Sequence, residues 1–258
     1  MQTEAADWPD WRDAAAYAPL LDVDRSLLAW EWLRRDASYR AAAERALSDS
    51  IAIAQATPAA GRIGLVAFEL PHLPAWRARP MWRSDVHPLV LRVEATRAVF
   101  SSADAFDVDG MQDLARIIVG DQAEHLLLSD GLHSIRLDGP PGAFTGGPVC
   151  LHYLIEGVAA AEGPLLTLRR FLALCRAGRF SRPLHPREVR ARRWIMMLRA
   201  HDGLIAGADQ RQIAEQLFSS SVAEPRWRSR ESSVRSQVQR LVRSARRFAA
   251  GGYRQLLQ

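Results

Sequence analysis

The chain has no lysine: all 34 basic residues among its 258 are arginine. That absence fits a GC-rich coding preference as well as any chemistry, so it excludes nothing by itself. Arginine does suit phosphate and guanine, because its planar fork donates two parallel hydrogen bonds. Only two cysteines occur, Cys150 and Cys175, too few for a disulfide framework and not spaced as a zinc site, so both are expected as buried thiols. No run approaches the roughly 18 apolar residues of a membrane span, and the acidic first eleven residues lack the apolar core of a secretion signal. The expectation is a cytoplasmic protein with no membrane partner. A hydrophobic content of 48% excludes disorder as the default.

What is present is a charge asymmetry. Residues 176–258 carry 18 Arg against 6 Asp and Glu, a balance of +12, whereas residues 1–175 carry 16 Arg against 23 acids, a balance of −7; the overall +5 conceals the difference. An imbalance of that size within one chain points to a nucleic acid or another acidic surface as partner.

Residues 8–47 read as helical between short polar breaks, with an apolar stripe through Leu27, Leu28, Trp30, Trp32 and Leu33, Tyr39 beyond it, and Asp24 placed as a cap. Ile63 to Phe68 and Leu89 to Phe100 read as strands, the second including Val99, and residues 113–119 as a short helix. His125 to Leu137, folded about Ser129-Asp-Gly131, reads as a hairpin. A Gly/Pro cluster, Gly139 to Pro148, precedes a tail of helical pattern, with helices expected at 149–161, 164–177, 186–200, 209–218 and 230–249. The expected fold class is α+β: a small mixed N-terminal domain with a short hairpin or sheet, residues 1–145, then an all-helical C-terminal domain, residues 146–258, containing a helix-turn-helix.

In Asp209-Gln-Arg-Gln-Ile-Ala-Glu-Gln-Leu-Phe218, Asp209 and Gln212 hold the two positions of a capping box, and Ile213, Ala214 and Leu217 face inward. A small residue such as Ala214 lets a second helix cross closely, the first half of a helix-turn-helix. The second half shows Val234, Val238, Leu241, Ala245 and Phe248 at spacings of four and three, a docking face. In such a motif the early turns of the second helix meet base edges, which assigns Arg230, Ser232, Ser233, Arg235, Ser236 and Gln239 to the groove, with Ser229 an alternative cap. Arg228, Arg243, Arg246 and Arg247 are assigned to phosphates, which position a protein without reading sequence, and Arg211 on the first helix joins the DNA-binding set. A second cluster, Arg187, Arg190, Arg192 and Arg193, suits DNA backbone, plain solvation or pairing with the acidic half equally well.

Catalysis and metal binding find no support. Asp107-Val-Asp-Gly110 imitates part of a calcium loop but has Ala105 and Arg116 where acids are needed. Ser129, Asp130 and His133 fall on the expected hairpin turn without a nucleophile elbow. Cys150 and His152 lack a second pair of ligands, and Gly139 to Gly147 has neither a dinucleotide fingerprint nor a Lys-Ser/Thr ending. No cofactor is expected.

Four stretches, Arg192-Arg-Trp-Ile, Gln210-Arg-Gln-Ile-Ala-Glu, Ser232-Ser-Val-Arg-Ser-Gln-Val-Gln-Arg-Leu-Val-Arg and the ending Ala250-Gly-Gly-Tyr-Arg-Gln-Leu-Leu257, resemble the C-terminal domain of FseA-like excision activators of integrative and conjugative elements and of relatives such as RovC and QseM. Trp11-Arg, Tyr17 and Ala29-Trp-Glu-Trp-Leu-Arg-Arg-Asp with Tyr39 resemble the N-terminal domain of the same activators; Ala37-Ser38 departs from their Asn-Pro. The resemblance implies a sequence-specific transcriptional activator of mobile-element excision and transfer genes or of secretion genes. It implies double-stranded DNA as partner, a homo-oligomer, and contacts with RNA polymerase or an antiactivator. The alternative within it is an antiactivator that binds another regulator instead of DNA.

Overall fold

A computed structural model describes residues 8–47, 56–98, 102–218 and 227–258, with side chains in the last stretch from residue 234 onward. In chain order the elements are α1 (Arg25–Leu33), α2 (Ala37–Leu47), the single turn α3 (Pro58–Gly61), β1 (Val90–Arg97), β2 (Ala105–Phe106), β3 (Ala115–Val119), β4 (Glu124–Ser129), β5 (Ser134–Gly139), β6 (Val149–Leu154), α4 (Glu162–Ala177), α5 (Ala191–Ile205), α6 (Gln210–Phe218) and α7 (Trp227–Ala249), followed by a 3-10 turn, Gly252–Leu257. The strands form one sheet in the order β2-β6-β1-β5-β4-β3, antiparallel except where β1 runs parallel to β5. The mixture is α+β, as expected.

The β4–β5 hairpin forms where alternation and turn chemistry place it, with Leu126 opposite Leu137 and Leu128 opposite Ile135. Asp130 accepts from the Leu132 and His133 amides at 2.9 and 2.7 Å, Ser129 Oγ donates to the His133 carbonyl at 2.9 Å, and Gly131 supplies φ +89°. The Ser-Asp-His trio is thus consumed in building the turn.

Elsewhere the sheet overrides local pattern. Residues 115–119, expected as helix, form the edge strand β3, where Ile117, Ile118 and Val119 suit the pleat. Residues 149–154, also expected as helix, form β6: Val149 and Leu151 alternate into the core, and the Tyr153 ring lies 6.4 Å from Phe171. A six-residue segment carries too little periodicity to separate strand from helix, and pairing with β1 decides it. The half after residue 145 is therefore not purely helical. The expected strand at 63–68 reduces to one bridge, Leu65 to Trp82. Val99 lies outside the described residues. Cys150 is half-buried, but Cys175 is exposed, contrary to the buried thiol expected there.

Two large apolar cores result. One lies between the sheet and α4, joining Leu91, Val93, Leu126, Ile135 and Leu137 to Phe171 and Leu174. The other joins Trp11, Tyr17, Trp30 and Trp32 to Trp194, Leu198, Ile213, Val238, Val242 and Phe248, so helices from both ends of the chain share one interior across the division expected at 145/146.

The shared interior has a polar centre. Arg35 Nε and Nη2 donate to Asp202 Oδ1 and Oδ2 at 2.7 and 2.8 Å, and its Nη1 donates to Glu31 Oε2 at 2.5 Å. Arg34 Nε donates to the same Glu31 oxygen at 2.8 Å, and the Tyr17 hydroxyl donates to Asp202 Oδ2 at 2.6 Å. Two guanidiniums balance two carboxylates with almost no solvent contact. Burial opposes the Arg35 charge, but Asp202 and Glu31 hold its pKa above the ordinary value; burial likewise opposes the Glu31 charge, and Arg35 and Arg34 hold that carboxyl below its ordinary range. Asp24 stands at the start of α1 without capping it; its carboxylate accepts the Ser134 amide at 2.8 Å and faces His185 Nδ1 at 3.4 Å.

The chain end is tied in by His87, whose buried Nδ1 lies 2.8 Å from the Leu257 carbonyl. Burial holds the His87 pKa below the ordinary imidazole value, and the positive charges of Arg136 and Arg170 act in the same direction. A base whose folded pKa is depressed takes up its proton first in the unfolded chain. Its stabilising contribution is therefore complete above about pH 6.5 and is lost as pH falls below that value. Denaturant melts at about pH 7.5 and about pH 5.5 are expected to show a larger loss of stability in the wild type than in His87→Gln; equal losses would remove His87 from the acid response.

Candidate nucleic-acid interface

α6 begins with the reciprocal box expected from its sequence: the Gln212 amide donates to Asp209 Oδ1 at 2.8 Å and Gln212 Oε1 accepts the Asp209 amide at 2.9 Å. This fixes the helix start and sends Ile213 into the core with no exposure, while Ala214 and Leu217 pack on the core edge. Arg211 lies on the outer side, 2.9 Å from Glu215 one turn on.

α7 is strongly two-faced. Val238, Val242, Ala245 and Phe248 are buried and Val234 and Leu241 half-buried; the face matches the sequence reading with Val242 added. Phe248 closes the inner face against Trp32, ring centroids 5.3 Å apart. The opposite face exposes Arg235, Ser236, Gln239, Arg240, Arg243, Arg246 and Arg247. Among the described residues Arg235, Arg243, Arg246 and Arg247 have no acidic partner. From Arg235 to Arg246 this stripe spans about 17 Å at 1.5 Å per residue, a length commensurate with a helix seated along a DNA groove.

The structure thus brings together Arg235, Ser236, Gln239, Arg243, Arg246 and Arg247 on one surface and puts Arg211 on the neighbouring helix. The side chains of Arg228, Arg230, Ser232 and Ser233 lie outside the described residues. Because α7 starts at Trp227, Ser229 falls inside its first turn rather than at a cap. The helix ends at a left-handed Gly251, φ +102°; at Gly252 a Cβ would sit 2.7 Å from the Arg247 carbonyl, so the Gly-Gly pair lets the tail fold back under α1.

Sequence reasoning missed what holds this surface. Arg199 Nε donates to the Trp11 carbonyl at 2.9 Å and its Nη2 to the Arg12 carbonyl at 3.0 Å; Gln216 Nε2 donates to Arg12 as well, at 2.9 Å. The Trp11 ring packs on Gly203, where a Cβ would come within 3.1 Å. With Tyr17, Trp32 and Arg35, these contacts mean that the conspicuous residues of the N-terminal motif face the helices beneath the arginine surface. The available signal was Glu31 one turn before Arg35 inside an otherwise apolar stripe, which marks a charge pair destined for burial.

The other residues singled out in the sequence make local contacts. Asp107 caps a 3-10 turn by accepting the Asp109 amide at 3.1 Å. Cys150 and His152 share a face of β6, with His152 Nε2 3.2 Å from Thr96 Oγ1. Among the described residues no His, Cys, Asp and Glu cluster could hold a metal, and no helix is long and apolar enough to cross a membrane.

A two-faced arginine helix packed beside a capped partner helix on a shared apolar core is an arrangement suited to nucleic-acid-binding proteins. The comparisons specify it further. Residues 159–258 match the family model of the RovC DNA-binding domain, described as "T6SS, Transcription factor, DNA binding domain", and residues 10–65 match the "Proteobacterial transcriptional regulator-like domain". The pair agrees with the resemblance to FseA-like and RovC-like regulators and supports a DNA-binding transcription regulator. No curated protein and no solved structure matches it.

Proposed function

We propose that the protein is a sequence-specific transcriptional activator acting in the cytoplasm, with α6 and α7 as a helix-turn-helix and the outer face of α7 in the major groove. The observation that carries this reading is the exposed row Arg235, Gln239, Arg243 and Arg246, whose arginines have no acidic partner among the described residues, on a helix that packs through Val238, Val242, Ala245 and Phe248. Arg235, Ser236 and Gln239, with Arg230, Ser232 and Ser233 earlier on the helix, meet base edges; Arg243, Arg246, Arg247, Arg228 and Arg211 meet phosphates. One such element reads few base pairs, so the protein acts as a homo-oligomer on half-sites about one helical turn apart. Its target genes, by the FseA and RovC resemblance, serve mobile-element excision and transfer or secretion, and RNA polymerase or an antiactivator is its protein partner.

The test is binding-site sequencing with purified protein on fragmented genomic DNA at roughly physiological salt, followed by titration of the recovered site. Arg235→Ala is expected to weaken specific binding by about 1–3 kcal/mol and relax one base position, as for loss of a bidentate guanine contact. Arg243→Ala is expected to weaken all DNA binding and lower the salt slope by about one unit. Wild-type affinity and slope in both variants, or retention of a protein partner with no DNA bound at low salt, overturns the reading.

A further inference from the structure

The connection between α4 and α5 carries a second concentration of positive charge that the helix-turn-helix does not use. Between residues 179 and 193 there are six arginines and one acid, Glu188. Arg187 is neutralised by Asp22 at 2.5 Å, and Glu188 is already engaged, by Arg25 at 3.7 Å and by the Arg190 amide at 2.9 Å. Arg179, Arg182, Arg190, Arg192 and Arg193 remain exposed, and none has an ion-pair partner among the described residues.

The segment is anchored. Phe180 and His185 are buried with ring centroids 5.5 Å apart, both rings lie against His133 of the β4–β5 turn, and the buried Arg170 of α4 donates from Nε to the Leu184 carbonyl at 2.9 Å. The arginines therefore project from a fixed frame.

Their placement also opposes local helix preference. Arg190 occupies the N-cap of α5 without a side-chain hydrogen bond, Arg192 and Arg193 lie in its first turn, and that turn has no acid. The positive end of the helix dipole disfavours cations there, and α5 would be better served by a Ser or Asp cap and acidic residues. Of the 23 acids in residues 1–175, Asp22 is the one that pairs with these arginines among the described residues, and Glu188 is the one acid within the segment. A local rule broken on an ordered frame without internal compensation points to a partner that supplies the compensation.

We propose that this connection is a second DNA-binding surface, which holds the phosphate backbone without reading sequence while α7 reads the bases. A polyanion provides the missing negative charge, and release of its condensed counterions favours binding in proportion to the phosphates neutralised. The inference rests on the reading of α7 as the DNA-reading helix.

The experiment is a salt titration of the full-length protein on its selected site and on unrelated duplex, comparing wild type with Arg182→Gln/Arg192→Gln/Arg193→Gln. At about 0.9 units per phosphate, the triple variant is expected to lower the slope of log affinity against log salt by on the order of two to three units on both DNAs. Affinity should fall by about tenfold or more on each at roughly physiological salt, with the base preference unchanged. Its thermal midpoint should equal or exceed the wild-type value, because cations leave the start of α5. An unchanged slope in a protein that still binds its site specifically overturns this inference alone. A wild type that retains neither DNA at low salt overturns the α7 reading along with it. A slope change accompanied by a lowered midpoint and altered circular dichroism would assign the arginines to folding, and Arg179→Gln/Arg182→Gln, both before α5 and its cap, then serves as the deciding variant: an unchanged slope there overturns the proposal.

Discussion

Asp202→Ala is expected to destabilise the protein by about 3–5 kcal/mol, measured by denaturant unfolding, because it leaves the Arg35 guanidinium buried with Glu31 as its remaining counter-charge and strips the Tyr17 hydroxyl of its buried acceptor. Against a typical total of about 5–15 kcal/mol this is a large fraction, and DNA binding should fall with the folded population. The paired replacement Arg35→Met/Asp202→Leu separates loss of the charge pair from loss of packing. It is expected to recover a substantial part of the stability, since apolar residues of similar volume often replace a buried ion pair at little cost. A loss below about 1 kcal/mol in Asp202→Ala would mean that water or local rearrangement satisfies Arg35, and the polar centre would not be what locks the two ends of the chain together.

The second large effect concerns autonomy. Residues 159–258 expressed alone are expected to collapse without fixed tertiary packing, although they span the whole match to the DNA-binding family. In the full protein Trp194, Leu198, Phe248 and Leu256 pack in one cluster with Trp11, Tyr17, Trp30 and Trp32, and each such side chain left bare forfeits about 1.5–3 kcal/mol. The fragment should retain a helical far-ultraviolet spectrum, lose its near-ultraviolet signal and bind a hydrophobic dye. Adding residues 1–88 in trans should restore a cooperative transition. A sharp thermal transition in the fragment by itself would show that the last four helices carry a sufficient core of their own.

These two expectations explain why the N-terminal motif is legible as a pattern and not as a role. Trp11, Tyr17, Trp32 and Arg35 stand out in sequence, but a lone chain offers no way to see that their partners are Gly203, Asp202, His201 and Phe248, more than 160 residues away. Arg35 also counts, by composition, as one more surface charge; only the carboxylates of Glu31 and Asp202 make its burial tolerable. The same limit explains the misread strands. Residues 115–119 and 149–154 are segments too short to fix their own period, and each is extended because an edge of the sheet offers hydrogen-bond partners, β4 for one and β1 for the other.

By itself the sequence determined whatever depends on neighbours within about one or two turns of chain: the capping box of α6, the two faces of α7, the Ser-Asp-Gly hairpin turn, and the charge imbalance that directs attention to nucleic acid. Hydrogen bonds to the next turn and a 3.6-residue period are properties of a segment, and they survive without knowledge of the fold. The tertiary structure alone decided which segments complete the sheet, that helices from the two ends share one core, and that the arginines divide into a buried set paired within that core and an exposed set on the surface. The reason is that a charge is worth burying only when an opposite charge arrives in contact with it, and which residues arrive together is fixed by the path of the whole chain.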